Sequence, residues 1–268
     1  MSQGAHRVSP QIVAFCSGRA GVGKSTTLAN LAWTAAEDGI RCLLWDADLQ
    51  APSLHLLFGL NPIATAADAY LGTVPIESVV LPVRPGLYLV PERAGTETAQ
   101  TQLSSVFPTL LSRLLGHLHP ELVLLDVSPG WSELIATIGG LSTTCAIVIA
   151  DDIGSILDAY GLLKILLGGT TPPPKHTGLV FTYTLDELDA ETIAVKLNAV
   201  VQRFLGRRLP MLGSIPYDPQ HRDALLQQQL FAELFPQAPT TLAYRRLLTA
   251  LVSRAEKPSH EPTPLLEP

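Results

Sequence analysis

Apolar runs of strand length alternate along this chain with longer segments of helical period. Residues 11–17, 41–46, 86–91, 122–126, 145–151, 176–182 and 211–215 read as strands. Their apolar positions are nearly continuous rather than alternating, as in strands buried on both faces. Residues 24–38, 102–118, 155–167, 188–205 and 239–255 read as helices. Strand and helix in alternation predict an α/β fold, a doubly wound and mostly parallel sheet with helices on both faces. Right-handed crossovers follow. Residues 168–175 (GGTTPPPK) read as a surface loop rather than a linker, because the alternation resumes beyond them. The expected organisation is a flexible N-terminus over 1–10, one α/β domain over 11–256 and a disordered, Pro-rich tail over 257–268.

Composition narrows the picture. Of 268 residues, 47% are apolar and 16% charged, enough to bury a large core. A net charge of -6 argues against a broad basic surface for nucleic acid. Cys16, Cys42 and Cys145 stand far apart with no C-x-x-C pair, which argues against a disulfide framework or a cysteine-rich metal site. Residues 1–10 are polar, and no apolar run reaches the roughly 18 residues of a spanning helix. The expected location is the cytoplasm.

The first strand runs into Gly18-Arg19-Ala20-Gly21-Val22-Gly23-Lys24-Ser25-Thr26, which satisfies G-x-x-x-x-G-K-[ST] between a buried strand and a helix. Glycines let backbone N–H groups converge on phosphate oxygens, and the helix N-terminus adds its dipole. Lys24 is expected to bridge the β- and γ-phosphates, Ser25 to ligate Mg²⁺ and Thr26 to reach the α-phosphate. The second strand ends in Asp46-Ala47-Asp48, and the fourth in Asp126-Val127-Ser128-Pro129-Gly130. Carboxylates at the carboxyl ends of parallel strands face the ligand crevice. Asp126 and Asp46 are expected in the Mg²⁺ shell, Asp48 beside the attacking water, and the Gly130 N–H at the γ-phosphate.

These segments resemble the MinD/ParA branch of P-loop ATPases over nearly the whole chain. The branch's K-G-G-x-G-K-[ST] loop corresponds to Arg19 through Ser25. Leu43 to Leu49 resembles its first switch, Leu87-Tyr88-Leu89-Val90-Pro91 its L-x-x-L/V-P strand, and Asp126 to Gly130 its second switch. Ser155-Ile156-Leu157-Asp158-Ala159-Tyr160-Gly161-Leu162-Leu163-Lys164 is similar to the S-x-x-D-A-Y-x-L-x-K of the FlhG (FleN) regulators of flagellar number and placement. Gly213 to Asp218 resembles the G-x-I-P-x-D that borders adenine, bringing in Pro216 and Asp218; Thr182-Tyr183 stands where many relatives have Asn-Arg. The resemblance implies an ATP·Mg²⁺-binding ATPase that forms an ATP-dependent homodimer, turns over slowly alone, and answers to a protein partner, flagellar in the FlhG case. It further implies recruitment to the cell pole or inner membrane.

Several features depart from that pattern. Arg19 replaces the lysine that reaches across the dimer; it keeps the charge as a forked guanidinium. Ala20 replaces a glycine, at a cost near 1 kcal/mol if its φ were positive. The D-Q-A-x-x-L-R activator segment of FlhG proteins is not found in residues 1–10. Residues 239–255 carry an apolar face suited to packing on the sheet, with a membrane-surface helix as the alternative. Arg203, Arg207, Arg208, Arg245 and Arg246 raise a ParA-type DNA-partitioning alternative, set against the negative net charge. Regulation of cellulose synthesis or pilus assembly, and a non-hydrolysing nucleotide-binding module, complete the alternatives.

Overall fold

The unbroken apolar runs become the inner strands of an eight-stranded sheet. The computed structural model describes residues 9–95, 97–168 and 173–253. In chain order the elements are β1 (Gln11–Cys16), α1 (Lys24–Glu37), β2 (Cys42–Ala47), α2 (Leu54–Leu57), α3 (Ala66–Tyr70), a 3₁₀ turn (Ile76–Val79), β3 (Leu81–Arg84), β4 (Leu87–Val90) and α4 (Glu97–Leu118). They continue as β5 (Leu122–Val127), α5 (Glu133–Leu141), β6 (Thr144–Ala150), α6 (Ile153–Gly168), β7 (His176–Thr184), α7 (Glu187–Leu205), β8 (Met211–Pro216), α8 (Gln220–Leu226), α9 (Phe231–Leu234) and α10 (Pro239–Val252). The sheet order is β3-β4-β2-β5-β1-β6-β7-β8. Every pairing is parallel except β3 with β4.

Alternation of side chains along β1 divides the core in two. Ala14 and Cys16 face a cluster with Phe107, Leu134, Leu163 and Leu197, from the helices of one layer. Val13 and Phe15 face Leu28, Leu31, Phe231 and Leu247 on the other. Both faces of the central strands are therefore dry, which is why their sequences do not alternate.

The seven expected strands are all present, within two residues at each end. The sequence reading missed β3, whose Leu-Pro-Val-Arg is short, half-buried and at the sheet edge, where proline is tolerated. It also missed α5 and began α4 five residues late; α4 runs from Glu97 with Pro108 inside it. The apolar face of α10 is spent on the protein: Tyr244, Leu247, Leu248 and Leu251 are buried in the second core. That removes the surface a membrane helix would need. The predicted flexible start, the centre of the 168–175 loop and the tail lie, for residues 1–8, 169–172 and 254–268, outside the described residues. No helix among the described residues is long and apolar enough to cross a membrane.

Past the end of β4, Glu92 is 1% exposed. Its Oε1 accepts the N–H groups of Ala67 and Arg93, while Oε2 has no partner. Burial pushes its carboxyl up from 4.5 to about 7. A raised acid stabilises the fold fully below about pH 4.5 and loses that contribution as pH rises through about 7. The difference corresponds to about 3 kcal/mol. Glu92→Gln keeps the acceptor and removes the titration. It should melt about 6–12 °C above the wild type at pH 8 and close to it at pH 5; a pH-independent difference in thermal melts contradicts this.

Candidate nucleotide site

The loop between β1 and α1 is shaped by two glycines in the left-handed region, Gly21 (φ 79°) and Gly23 (φ 75°). Gly23 is the residue from which α1 starts, and no side chain caps that end. The first-turn N–H groups are thus available to an anion, with the helix dipole behind them. Gly18 passes against α6 so closely that a Cβ there would lie 2.3 Å from the carbonyl carbon and oxygen of Asp158. Ala20 is not among the residues with positive φ, so its replacement of glycine carries no backbone strain.

Lys24 ends in a cage of carboxylates. Its Nζ donates to Asp126 Oδ1 and stands 3.6 Å from Asp48 Oδ2; the Lys24 and Asp126 side chains are 6% and 0% exposed. Burial alone would lower the lysine's pKa, but Asp126 and then Asp48 hold it protonated and the balance lies above the ordinary value. Asp126 is pushed up by burial, with Lys24 and the Ser25 hydroxyl pulling the other way. Its Oδ2 is buried without a partner. Asp48 Oδ1 accepts from the N–H groups of Gln50 and Ala51, which fixes its carboxylate over the loop. A cavity of about 290 Å³ follows the glycine loop and is lined also by Asp48, Ser53, Pro129 and Tyr183.

An adjoining slot of about 90 Å³ runs from Gly23 and Thr26 to Thr182, Pro216, Asp218, His221, Leu225 and Tyr244. Gly23, Thr26 and Tyr183 line both spaces, so one ligand with an anionic and a planar end would pass over them. That shape suits a nucleoside triphosphate.

The family model for the CobQ/CobB/MinD/ParA nucleotide binding domain matches residues 13–231. The chain belongs to that family. It is a P-loop ATPase of the MinD/ParA kind. It is 29% identical over 242 residues to the antiactivator FleN of Pseudomonas aeruginosa, covering 88% of this chain and 84% of that one. The flagellum site-determining protein YlxH of Helicobacter pylori is 27% identical over 156 residues, 58% of this chain and 53% of its own. In fold it is similar to the septum site-determining protein MinD complexed with Mg-ADP from Pyrococcus horikoshii, with a TM-score of 0.74, 21% identity, and 92% and 98% of the two chains covered.

In this MinD/ParA-family ATPase Thr182, Pro216 and Asp218 line the adjoining slot, and the other expected residues fall into two groups. Gly18, Gly21, Val22, Gly23, Lys24, Ser25, Thr26, Asp48 and Asp126 meet at the loop. Others are committed elsewhere. Asp46 was expected in the metal shell, yet its Oδ1 accepts from the Asp48 N–H and its Oδ2 from those of Ser53 and Leu54. It shapes the turn that presents Asp48. Burial and the neighbouring Asp126 push its carboxyl up to about 8. The Gly130 N–H, expected at the γ-phosphate, donates to the Ser17 carbonyl at 2.9 Å. Thr182 donates its hydroxyl to the Val22 carbonyl at 2.7 Å and so pins the loop from the neighbouring strand.

Arg19, half exposed, pairs with Asp152 at 3.2 Å. The same Asp152 oxygen accepts the Ser155 N–H at 2.8 Å at the start of α6. Asp152, Tyr183, His221 and Tyr244 were not in the sequence-based site. Tyr183 had a signal, since it stood out as a departure; its backbone is left-handed (φ 60°) and its hydroxyl would lie 2.9 Å from a Cβ on Gly23. The other three sit on separate elements that only the fold brings together. Arg245 is ion-paired with Glu37 in the last turn of α1 and with Asp38 just after it, which withdraws it from the basic patch behind the DNA reading.

Proposed function

We propose that this ATPase is a nucleotide-driven dimerisation switch that sets the number or placement of a bacterial assembly, and that the assembly is the flagellum. The observation that carries the switch is the position of Lys24 between Asp126 and Asp48 at the head of the glycine loop. The flagellar part is supported by the similarity to FleN and YlxH.

Phosphate oxygens compete with the two aspartates for the Lys24 ammonium. Ser25 and Asp126 fit Mg²⁺: a buried, unpartnered carboxylate oxygen beside a hydroxyl is a hard-oxygen donor pair. Held by Ser25 and Asp126, Mg²⁺ would supply positive charge against the phosphate oxygens. Asp48, freed from Lys24, orients the water that attacks the γ-phosphate. A γ-phosphate that draws the Gly130 N–H away from Ser17 moves the second switch, and Ser128 carries that movement to the first, since its hydroxyl accepts the Leu49 N–H at 3.0 Å. Arg19, released from Asp152, supplies charge to the partner's nucleotide.

Size exclusion with light scattering tests the switch. With MgATP the wild type should run as a dimer and with MgADP as a monomer. Asp48→Ala should remain dimeric while turnover falls about 100-fold, and Arg19→Ala should remain monomeric. Wild-type protein that binds ATP, stays monomeric and turns over no faster than Asp48→Ala would leave a nucleotide-binding module. Counting flagella in the host after deletion of the gene tests the biological part separately; unchanged number and position would remove the flagellum and leave the switch standing.

A further inference from the structure

The base slot is lined in part by a hydrogen-bonded pair, His221 and Tyr244, that no motif marks. The His221 ring, on α8, stacks on Phe231 with centroids 4.1 Å apart and planes 12° from parallel. Its Nδ1 faces the Asp218 carbonyl oxygen at 3.3 Å, and its Nε2 faces the Tyr244 hydroxyl at 3.0 Å. Both residues line the slot.

The proton positions follow from what each partner can do. A carbonyl oxygen only accepts, so Nδ1 carries the ring proton. Burial holds the histidine pKa below its ordinary value, which leaves the ring neutral at pH 7 and Nε2 bare. A bare nitrogen accepts, so the Tyr244 hydroxyl donates to it. Tyr244 is 1% exposed, and burial raises its pKa, so it keeps that proton. A phenol has one hydrogen; once it is committed to His221, the oxygen offers the slot lone pairs alone. The neighbouring Asp218 carboxylate is engaged within the protein, receiving the Gln220 N–H at 3.0 Å and standing 3.5 Å from the Thr240 hydroxyl. The apolar walls, Ile215 and Leu225, contribute no donor. Tyr183 and Tyr217 are 45% and 60% exposed, and their hydroxyls can turn to water.

We propose that the His221–Tyr244 pair is the specificity element of the base slot, setting the Tyr244 oxygen as an acceptor against the 6-position of the base, where it suits the exocyclic amine of a 6-aminopurine and repels the oxygen of a 6-oxopurine. This rests on the nucleotide reading above and goes beyond it by naming the residues that tell adenine from hypoxanthine. A buried acceptor facing another acceptor leaves both unsatisfied, and that mismatch is what a polar pocket uses to discriminate.

ATP and inosine triphosphate carry the same sugar and phosphates and differ in the 6-substituent and the N1 proton, so their affinities, each with Mg²⁺, isolate the base. Wild-type protein should bind ATP at least tenfold more tightly by calorimetry. Tyr244→Phe keeps the buried ring and removes the acceptor; the ratio should fall about three- to tenfold, through weaker ATP binding. His221→Phe keeps the stack on Phe231 and frees the Tyr244 proton to turn into the slot. Here the ratio should fall through tighter binding of inosine triphosphate, an outcome that a purely structural role does not produce. If Tyr244→Phe fails to fold, the His221→Phe pair of affinities decides alone. A wild-type ratio within twofold of unity, or a ratio unchanged in the folded variants, overturns the proposal and leaves the ATPase reading intact. Wild-type protein that binds neither triphosphate overturns both.

Discussion

Lys24→Ala should lose measurable MgATP affinity, lower turnover at least 100-fold, and also melt below the wild type. The first two losses follow from removing the ammonium expected to bridge the β- and γ-phosphates. The third follows from what the lysine does within the protein. Asp126 and Asp46 are fully buried and Asp48 nearly so, and Lys24 is the cation between them. Removing one member of a buried pair leaves an uncompensated charge and costs about 3–5 kcal/mol. The pH dependence has a definite sign. Without the lysine, Asp126 loses the influence that pulls its pKa down, so its folded value rises further. An acid raised in the folded state stabilises the fold at low pH and loses that contribution as pH climbs through the folded pKa. The melting deficit of Lys24→Ala should therefore be largest at pH 8 and shrink towards pH 5. A variant that keeps ATP affinity within severalfold of the wild type contradicts the phosphate role, and a pH-independent deficit contradicts the cage.

The glycine loop was legible in the sequence because phosphate binding needs specific residue types at fixed spacing, and Gly18 to Thr26 has them between a buried strand and a helix. The parallel strands were legible because both their faces are dry. What was hidden depends on long-range juxtaposition. Asp46 and Asp48 read alike at a strand tip, yet one is consumed by three backbone N–H groups and the other faces Lys24. His221 and Tyr244 lie 23 positions apart, on α8 and α10, two helices that only the fold brings together. β3 escaped notice because an edge strand needs neither length nor a continuous apolar run. Residues 155–164, which resemble the FlhG motif, have a local physical meaning too. The Ser155 hydroxyl accepts the Ala150 N–H at 2.8 Å, fixing the end of β6 to the start of α6, and the Asp158 backbone meets Gly18.

That last contact supports the other large effect, Gly18→Ala. A Cβ at Gly18 would lie 2.3 Å from the carbon and oxygen of the Asp158 carbonyl and 2.7 Å from the Ala159 nitrogen. All three atoms are backbone, so no side-chain rotation relieves the overlap, and either the glycine loop or α6 must move. Overpacking of this kind costs about 1–3 kcal/mol, and a clash with main chain belongs at the upper end. For a chain of this size that is a fall of about 6–12 °C in melting temperature. Displacing the loop also misaligns the N–H groups that face phosphate, so ATP affinity should fall at least tenfold in the folded variant. Gly161→Ala, less than one turn further along α6, is the matched control. A Cβ at Gly161 meets nothing within 4 Å, and the position is exposed in the helix interior. Alanine there should stabilise by about 0.5–1 kcal/mol through helix propensity, with ATP affinity unchanged. If Gly18→Ala melted and bound ATP as Gly161→Ala does, α6 would not be seated on the phosphate loop, and the link from Asp152 and Arg19 to that helix would lose its mechanical basis.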